Sequence, residues 1–406
     1  MKRLLNPLLV IITASVATLL LFEILLRGIG FSAPVWYRPD AQLGWTLRPG
    51  VATWQTKEGR AFVEANTAGW RDTEHAVEKT TDVYRIAVLG DSYSEAMQVA
   101  RDKTFWALLP EQLSACNFAK DKRIEVLNFG ISGYGTAQEY LVLESKAMLY
   151  HPDLVLLQFT NGNDVRNNSK ALEEDKLRPF YTLNTNGTLK LDDSFEATPG
   201  FRNRATMAYE ILRQLSDNSR VVQLVQAVRS QPLLPQVTAS PAGAEQGLEA
   251  QVLAPPRDSQ WEDAWQITEK LMTGISEYAR RNDVQFLAVT VPYAIQVHPD
   301  PLVREAMQSK LDVPDLFYPD RRIAALSQRV GFGVVLLAPS MQRLAESQKI
   351  WFHGFNETAM GRGHWNTDGH QVAAGIIARH LCENDSDLHK ILPTVRLLSD
   401  GKIGVV

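Results

Sequence analysis

The sequence predicts an α/β fold built on a parallel sheet covered by helices on both faces. Two observations predict it. The chain has 406 residues, 45% of them hydrophobic and 22% charged, which is ordinary globular composition and enough length for one large domain with additions. From Tyr84 onward, short apolar runs alternate with longer amphipathic stretches, the pattern of strands joined by helical crossovers.

In chain order, residues 84–89 read as a buried strand, 105–116 as a helix, 124–128 as a second strand, 136–150 as a helix and 153–160 as a third strand. A long helix over 261–282 leads to a fourth strand at 284–291. A helix over 321–330 leads to a fifth strand at 334–337, and a last helix spans 368–382. Residues 165–260 are too long for a plain connection and read as an insertion. Within it, 180–191 has a hairpin signature around Asn186-Gly187, 205–229 has helical periodicity, and 230–260, rich in Pro, Ala, Gln and Gly, reads as a flexible linker. The main domain is expected over 83–390, with a tail over 391–406.

Two segments precede that domain. Leu4 to Phe22 is an uncharged apolar run, about one bilayer crossing long, flanked by Lys2 and Arg3 on one side and by Glu23 and Arg27 on the other. The run is longer than the core of a cleaved signal peptide, so residues 1–30 read as a retained transmembrane anchor. The basic N-terminus places that end in the cytoplasm and the remaining chain outside the membrane. Residues 31–82 form a β-rich lead-in whose tryptophans, Trp36, Trp45, Trp54 and Trp70, are expected to pack on the main domain.

The net charge is -4, with acidic and basic residues scattered rather than blocked. No nucleic-acid surface is expected, and a small-molecule or glycan partner fits at least as well. His364, Asp368 and His370 lack the spacing of a metal site, so neither metal nor cofactor is expected.

The chemistry sits where the apolar runs end. In an open α/β sheet, ligands bind outside the carboxyl ends of the strands. Gly90-Asp-Ser92 closes the first strand. Asn128-Phe-Gly-Ile-Ser-Gly133 follows the second, Asn161-Gly162-Asn163-Asp164 the third, and His364-Trp-Asn366 precedes the last helix. A Gly-Asp-Ser triplet alone arises by chance in roughly one chain in ten of this length. Four such groups at one edge are a different matter.

In this ordered set the chain resembles the SGNH (GDSL) hydrolases, over about residues 83–165 and 260–385. The resemblance implies a flavodoxin-like, doubly wound sheet of order 2-1-3-4-5 and an ester-cleaving enzyme. It assigns Ser92 as nucleophile and His364 as general base, with an oxyanion hole formed by the Ser92 and Gly133 N–H groups and the Asn163 side chain. The Gly-x-Ser-x-Gly elbow of α/β-hydrolases does not occur around Ser92. The family places an aspartate three residues before its histidine, and that position is Gly361 here. A backbone carbonyl or another carboxylate must then orient His364, with Glu357 and Asp368 the nearest in sequence. Asp368 and His370 have the wrong spacing for the pair, and Gly369-His370 reads as the start of the last helix.

On the topology the resemblance implies, the helices ending in Cys116 and Cys382 share one face of the sheet. The two cysteines either pair in an oxidising compartment or stay as buried thiols. The leading reading is an extracytoplasmic serine esterase removing an O-acyl group, acetyl being expected, from a carbohydrate or lipid. A polysaccharide O-acetyltransferase would use the same residues. A catalytically weak glycan-binding scaffold is the non-enzymatic reading, supported only by the missing aspartate.

Overall fold

The computed structural model describes residues 2–56, 58–230, 250–356 and 360–384. Its centre is a five-stranded parallel sheet of β1 (Val83–Leu89), β2 (Arg123–Asn128), β3 (Leu154–Thr160), β4 (Gln285–Val291) and β5 (Gly333–Leu336). The spatial order is 2-1-3-4-5 with every neighbouring pair parallel, as expected.

Helices cover both faces because successive side chains of a strand point to opposite sides and both sets here are apolar. The helices used below are α1 (Lys2–Gly28), α2 (Phe105–Ala115), α3 (Thr136–Ser145), α4 (Met207–Asn218), α5 (Arg220–Ser230), α6 (Ser259–Arg281), α7 (Tyr318–Val330), α8 (Leu337–Gln348) and α9 (Thr367–Asn384). Ala87 and Leu89 of β1 join a core with α3, α6 and α7, whereas Ile86 and Val88 join a second core with α2, α8 and α9. Helix α8 was not anticipated: it starts directly at the end of β5, without the turn residues that mark a boundary in sequence. Cys116, just after α2, and Cys382 in α9 form a disulfide, which resolves the alternative left open by the sequence.

The lead-in consists of two hairpins, Tyr37–Asp40 with Gly44–Leu47 and Ala52–Gln55 with Ala61–Glu64. Trp70 is buried, and Trp36 and Trp45 pack against the core. Trp54 departs from the expectation. It stands 45% exposed on the outer face of the second hairpin, edge-on to the exposed Phe62 and under the Arg60 guanidinium.

In the insertion, the expected hairpin forms from Phe180–Leu183 and Leu189–Asp192. The helical stretch divides at Ser219 into α4 and α5. Most of the expected linker over 230–260, and the tail over 391–406, lie outside the described residues. The end of that linker is a correction. Ala250–Leu253 is a short 3-10 helix whose Val252 and Leu253 are buried in the first core, so apolar burial overrides the Pro- and Ala-rich composition there.

Candidate active site

At the carboxyl end of β1 the chain turns through Gly90 into a one-turn helix, Ser92–Glu95, with Asp91 as its N-cap. The Asp91 carboxylate accepts from the Tyr93 N–H at 3.0 Å and from Asn163 Nδ2 at 3.0 Å. Its complete burial pushes the carboxyl up from its ordinary range, and those two donors work against the shift. Within this turn Ser92 alone is partly exposed, while Asp91, Tyr93, Ser94 and Glu95 are buried. Ser92 is therefore the residue of this turn that solvent reaches.

Gly133 and Asn163 follow the two strands that flank β1, namely β2 and β3. The Gly133 loop is held from below by Glu95, whose Oε2 accepts from the Ser132 N–H at 2.9 Å and from the Tyr37 hydroxyl at 2.7 Å. Burial pushes the Glu95 carboxyl up from its usual range, against the opposing effect of these bonds. From above, Trp45 Nε1 donates to the Ser132 carbonyl at 3.1 Å. The lead-in thus fixes the loop that carries Gly133. Asn163 is anchored through its bond to Asp91, and an amide nitrogen has two hydrogens, so this bond does not exhaust it. Deeper still, Glu139 and Asp164 are buried carboxyls pushed well above their ordinary range by desolvation and by their neighbours' charge.

His364 reaches the same edge from the segment before α9. Its ring lies 5.2 Å, centroid to centroid, from that of Tyr93, and the Tyr93 hydroxyl donates to the Gly363 carbonyl at 3.3 Å. The residue next to Ser92 therefore touches His364 and its chain neighbour, which brings the two ends of the sequence together.

The partner of His364 is Glu58. Glu58 Oε2 lies 2.5 Å from His364 Nδ1, with the two side chains 27% and 29% exposed. The His364 N–H also donates to the same oxygen at 3.4 Å. Glu58 sits in the tip of the second lead-in hairpin, between Gln55 and Ala61. Neither carboxylate named from the sequence has this place. Asp368 is exposed in the first turn of α9, and Glu357 lies outside the described residues.

Two glycines explain the departure. At Gly361, where the family has aspartate, φ is +81° and an added Cβ would lie 2.3 Å from the Trp351 indole. A side chain does not fit there. At Gly363, φ is +75° and a Cβ would lie 2.0 Å from Glu58 Oε1. The space a side chain would fill is taken by the incoming carboxylate.

Two other histidines near the site, His370 and His353, are buried in the core. His370 is 1% exposed, stacks on Phe105 and accepts the Phe105 N–H through Nδ1 at 3.3 Å. His353 lies beside Tyr93 and Trp365. Burial pulls both down to about 3, so both are neutral at physiological pH.

Sequence reasoning missed Glu58, Tyr93, Glu95 and Trp45. For Glu58 the only sequence signal was negative: a glycine at the aspartate position says that a carboxylate must come from elsewhere, without saying where. Two surface cavities, of about 660 and 750 Å³, open at the opposite, amino-terminal edge of the sheet, lined by Tyr84, Asp153 and Gln285 and by Tyr84, Leu154 and Gly333 among others. The functional groups are absent from that edge among the described residues.

The fold is a flavodoxin-like α/β sheet with a His364–Glu58 pair packed against Tyr93, the residue after Ser92, at its carboxyl edge. No protein-family model and no curated protein matches the chain. Among solved structures it is similar to LAE5, an alpha/beta hydrolase enzyme from the metagenome of Lake Arreo, Spain, at 15% identity over 73% of this chain and 94% of that one, with a TM-score of 0.36. It is similar to the acetyl xylan esterase AlAXEase at 14% identity, 73% and 98% coverage and a TM-score of 0.38. A lipolytic protein of the G-D-S-L family from Desulfitobacterium hafniense aligns at 9% identity, 73% and 98% coverage and a TM-score of 0.33.

Proposed function

We propose that the protein is a serine esterase that cleaves an O-acyl ester, acetyl or of similar size, through an acyl-enzyme on Ser92. A serine hydroxyl is a poor nucleophile until a base removes its proton, and the base assigned here is His364, whose ring packs on Tyr93, the residue after Ser92. With Glu58 accepting the Nδ1 proton, the imidazole presents Nε2 as its unprotonated nitrogen, the tautomer that general-base catalysis requires.

In the first half-reaction, Ser92 Oγ attacks the ester carbonyl carbon while His364 takes the hydroxyl proton. The negative charge forms on the carbonyl oxygen, and the donors assigned to it are the Ser92 and Gly133 N–H groups and the second hydrogen of the Asn163 amide. One such donor typically lowers the barrier by about 3 kcal/mol. The C–O bond of the leaving alcohol breaks as His364 returns the proton to that oxygen. Water, deprotonated by His364, then attacks the acyl carbon and releases the acid and free Ser92.

The observation that carries the proposal is the His364–Glu58 contact, since it supplies the orienting carboxylate whose lack was the one support for an inactive scaffold. A second reading, transfer of the acyl group to a sugar hydroxyl in place of water, is favoured by one feature. Trp54, Phe62 and Arg60 form an exposed aromatic face on the hairpin that carries Glu58, a surface suited to stacking sugar rings.

The reading extends to location. Helix α1 includes an apolar segment, Pro7–Gly28, of mean hydropathy 2.5 and of membrane-spanning length. Its last turns are built into the folded domain, because Glu23 accepts from the Arg220 N–H at 2.9 Å and the Val221 N–H at 3.0 Å, so removing α1 would uncap α5. These bonds support reading α1 as a retained anchor. The Cys116–Cys382 disulfide supports a catalytic domain on the oxidising, extracytoplasmic side.

The test is hydrolysis of p-nitrophenyl acetate and butyrate by the full chain in detergent, with fluorophosphonate labelling. Ser92→Ala should abolish labelling, and Ser92→Ala and His364→Ala should each cost at least about 10³-fold in kcat/KM. Hydrolysis unchanged in Ser92→Ala would overturn the proposal. A sugar acceptor that speeds release of p-nitrophenol and appears acylated would decide for transfer.

A further inference from the structure

Helices α4 and α5 are built inside out. On the buried side lie polar groups, with Ser216 0% and Gln223 2% exposed. On the outer side stand Met207, Ile211, Leu212 and Leu215 of α4 and Val225 and Val228 of α5, each 45% to 79% exposed. In α4 three of these recur at a spacing of four residues and make one stripe. The polar side fastens the helix pair to the point where α1 enters the domain. Gln223 Oε1 accepts from the Ala33 N–H at 2.9 Å and from Arg220 at 2.7 Å, and Arg48 Nη1 donates to Asp217 Oδ1 at 2.8 Å. Arg27 donates to the Asn218 carbonyl at 2.9 Å, and Glu23 caps the start of α5.

We infer that α4 and α5 form an interfacial collar that seats in the surface of the same bilayer α1 spans. The occupant is lipid, because α5 packs both on α4 and on α1, and α1 exposes the apolar Ile24 and Leu25, 67% and 56% exposed, in its last turns. A helix with an apolar face and a polar face lies in the plane of the headgroup boundary. This inference rests on reading α1 as an anchor.

The collar also sets the height of the site. Ser32 Oγ lies 3.2 Å from Thr53 Oγ1, at the base of the hairpin whose tip carries Glu58. Extended chain advances about 3.3 Å per residue, so Glu58 is at most about 17 Å from Thr53. Glu58, and with it His364, therefore stands close to the membrane on this reading.

The test places an environment-sensitive fluorophore at Leu212→Cys, and separately at Val16→Cys, in the full chain reconstituted in phosphatidylcholine vesicles. The native cysteines are paired, so the added thiol is the labelling site. The expected result is that the Leu212→Cys label is quenched by lipids carrying doxyl groups near the headgroup and shielded from aqueous iodide. The Val16→Cys label should be quenched by doxyl groups deep in the acyl chains. A Val16→Cys label quenched deep in the bilayer beside a Leu212→Cys label open to iodide overturns the collar and leaves the anchor. Both labels open to iodide overturn the anchor and the collar with it. A Leu212→Cys label shielded from iodide and from doxyl lipid, in a particle of twice the mass, overturns the collar in favour of contact with a second copy.

Discussion

The carboxyl edge of the sheet and the tip of the second lead-in hairpin both supply the site, and they do so in different ways. At the edge, Ser92, Gly133 and Asn163 each follow a strand at once, so short-range sequence order translates directly into proximity. Glu58 reaches His364 from a sequence distance of 306 residues, through a hairpin that is no part of the sheet. The edge is a property of the fold, whereas the orienting carboxylate is a property of how a lead-in segment docks.

The largest effect is expected from the scaffold. Replacing Cys116 and Cys382 by Ser removes a cross-link between α2 and α9 and should cost about 2 to 5 kcal/mol in urea unfolding. Because His364 takes its orientation from the hairpin, kcat/KM below the unfolding transition should stay within about threefold of the parent. A proportionate loss of activity would mean that α9, rather than the hairpin, positions the base.

Gly363→Ala attacks the docking itself. The new methyl group would take the place of Glu58 Oε1 and push the carboxylate off its position against His364, so kcat/KM should fall about 10²-fold, and the positive φ at this residue should add a loss of about 1 kcal/mol or more in unfolding free energy. An unchanged rate would show that Glu58 does not need its observed position.

The interior of the edge should respond to pH. His353 and His370 are held down to about 3 in the folded protein, against about 6.5 when unfolded. Between those values the unfolded chain binds more protons, so the stability these residues contribute is complete above about pH 6.5 and is lost as the pH falls towards 3. At pH 5 each should have cost about 2 kcal/mol. His370→Gln should flatten the acid side of a stability profile by about that amount, and an equal slope in both proteins would contradict the burial argument.

Much of this was legible in sequence. The alternation after Tyr84 placed all five strands of the sheet, and the polar groups ending them marked the edge on which Ser92, Gly133, Asn163 and His364 meet. Strand order came from the family resemblance, since alternation alone does not distinguish one parallel order from another. What remained hidden depends on contacts between distant segments. Glu58 lies in an ordinary charged turn, and nothing nearby marks it as a partner of a histidine. Asp368, close in sequence, faces solvent because the helix it opens turns it away from the cleft. Helices α4 and α5 show an amphipathic period in the sequence, but which side faces the domain depends on Gln223 and Glu23 finding their partners.

The central claim is that Glu58 orients His364, and the most direct measurement is kcat/KM for p-nitrophenyl acetate in Glu58→Gln beside Asp368→Asn. The account predicts a loss of about 10² to 10⁴-fold in Glu58→Gln, with a matching slowing of fluorophosphonate labelling at Ser92, and a change under about threefold in Asp368→Asn. A Glu58→Gln protein that is folded and hydrolyses the ester at the parent rate would contradict it.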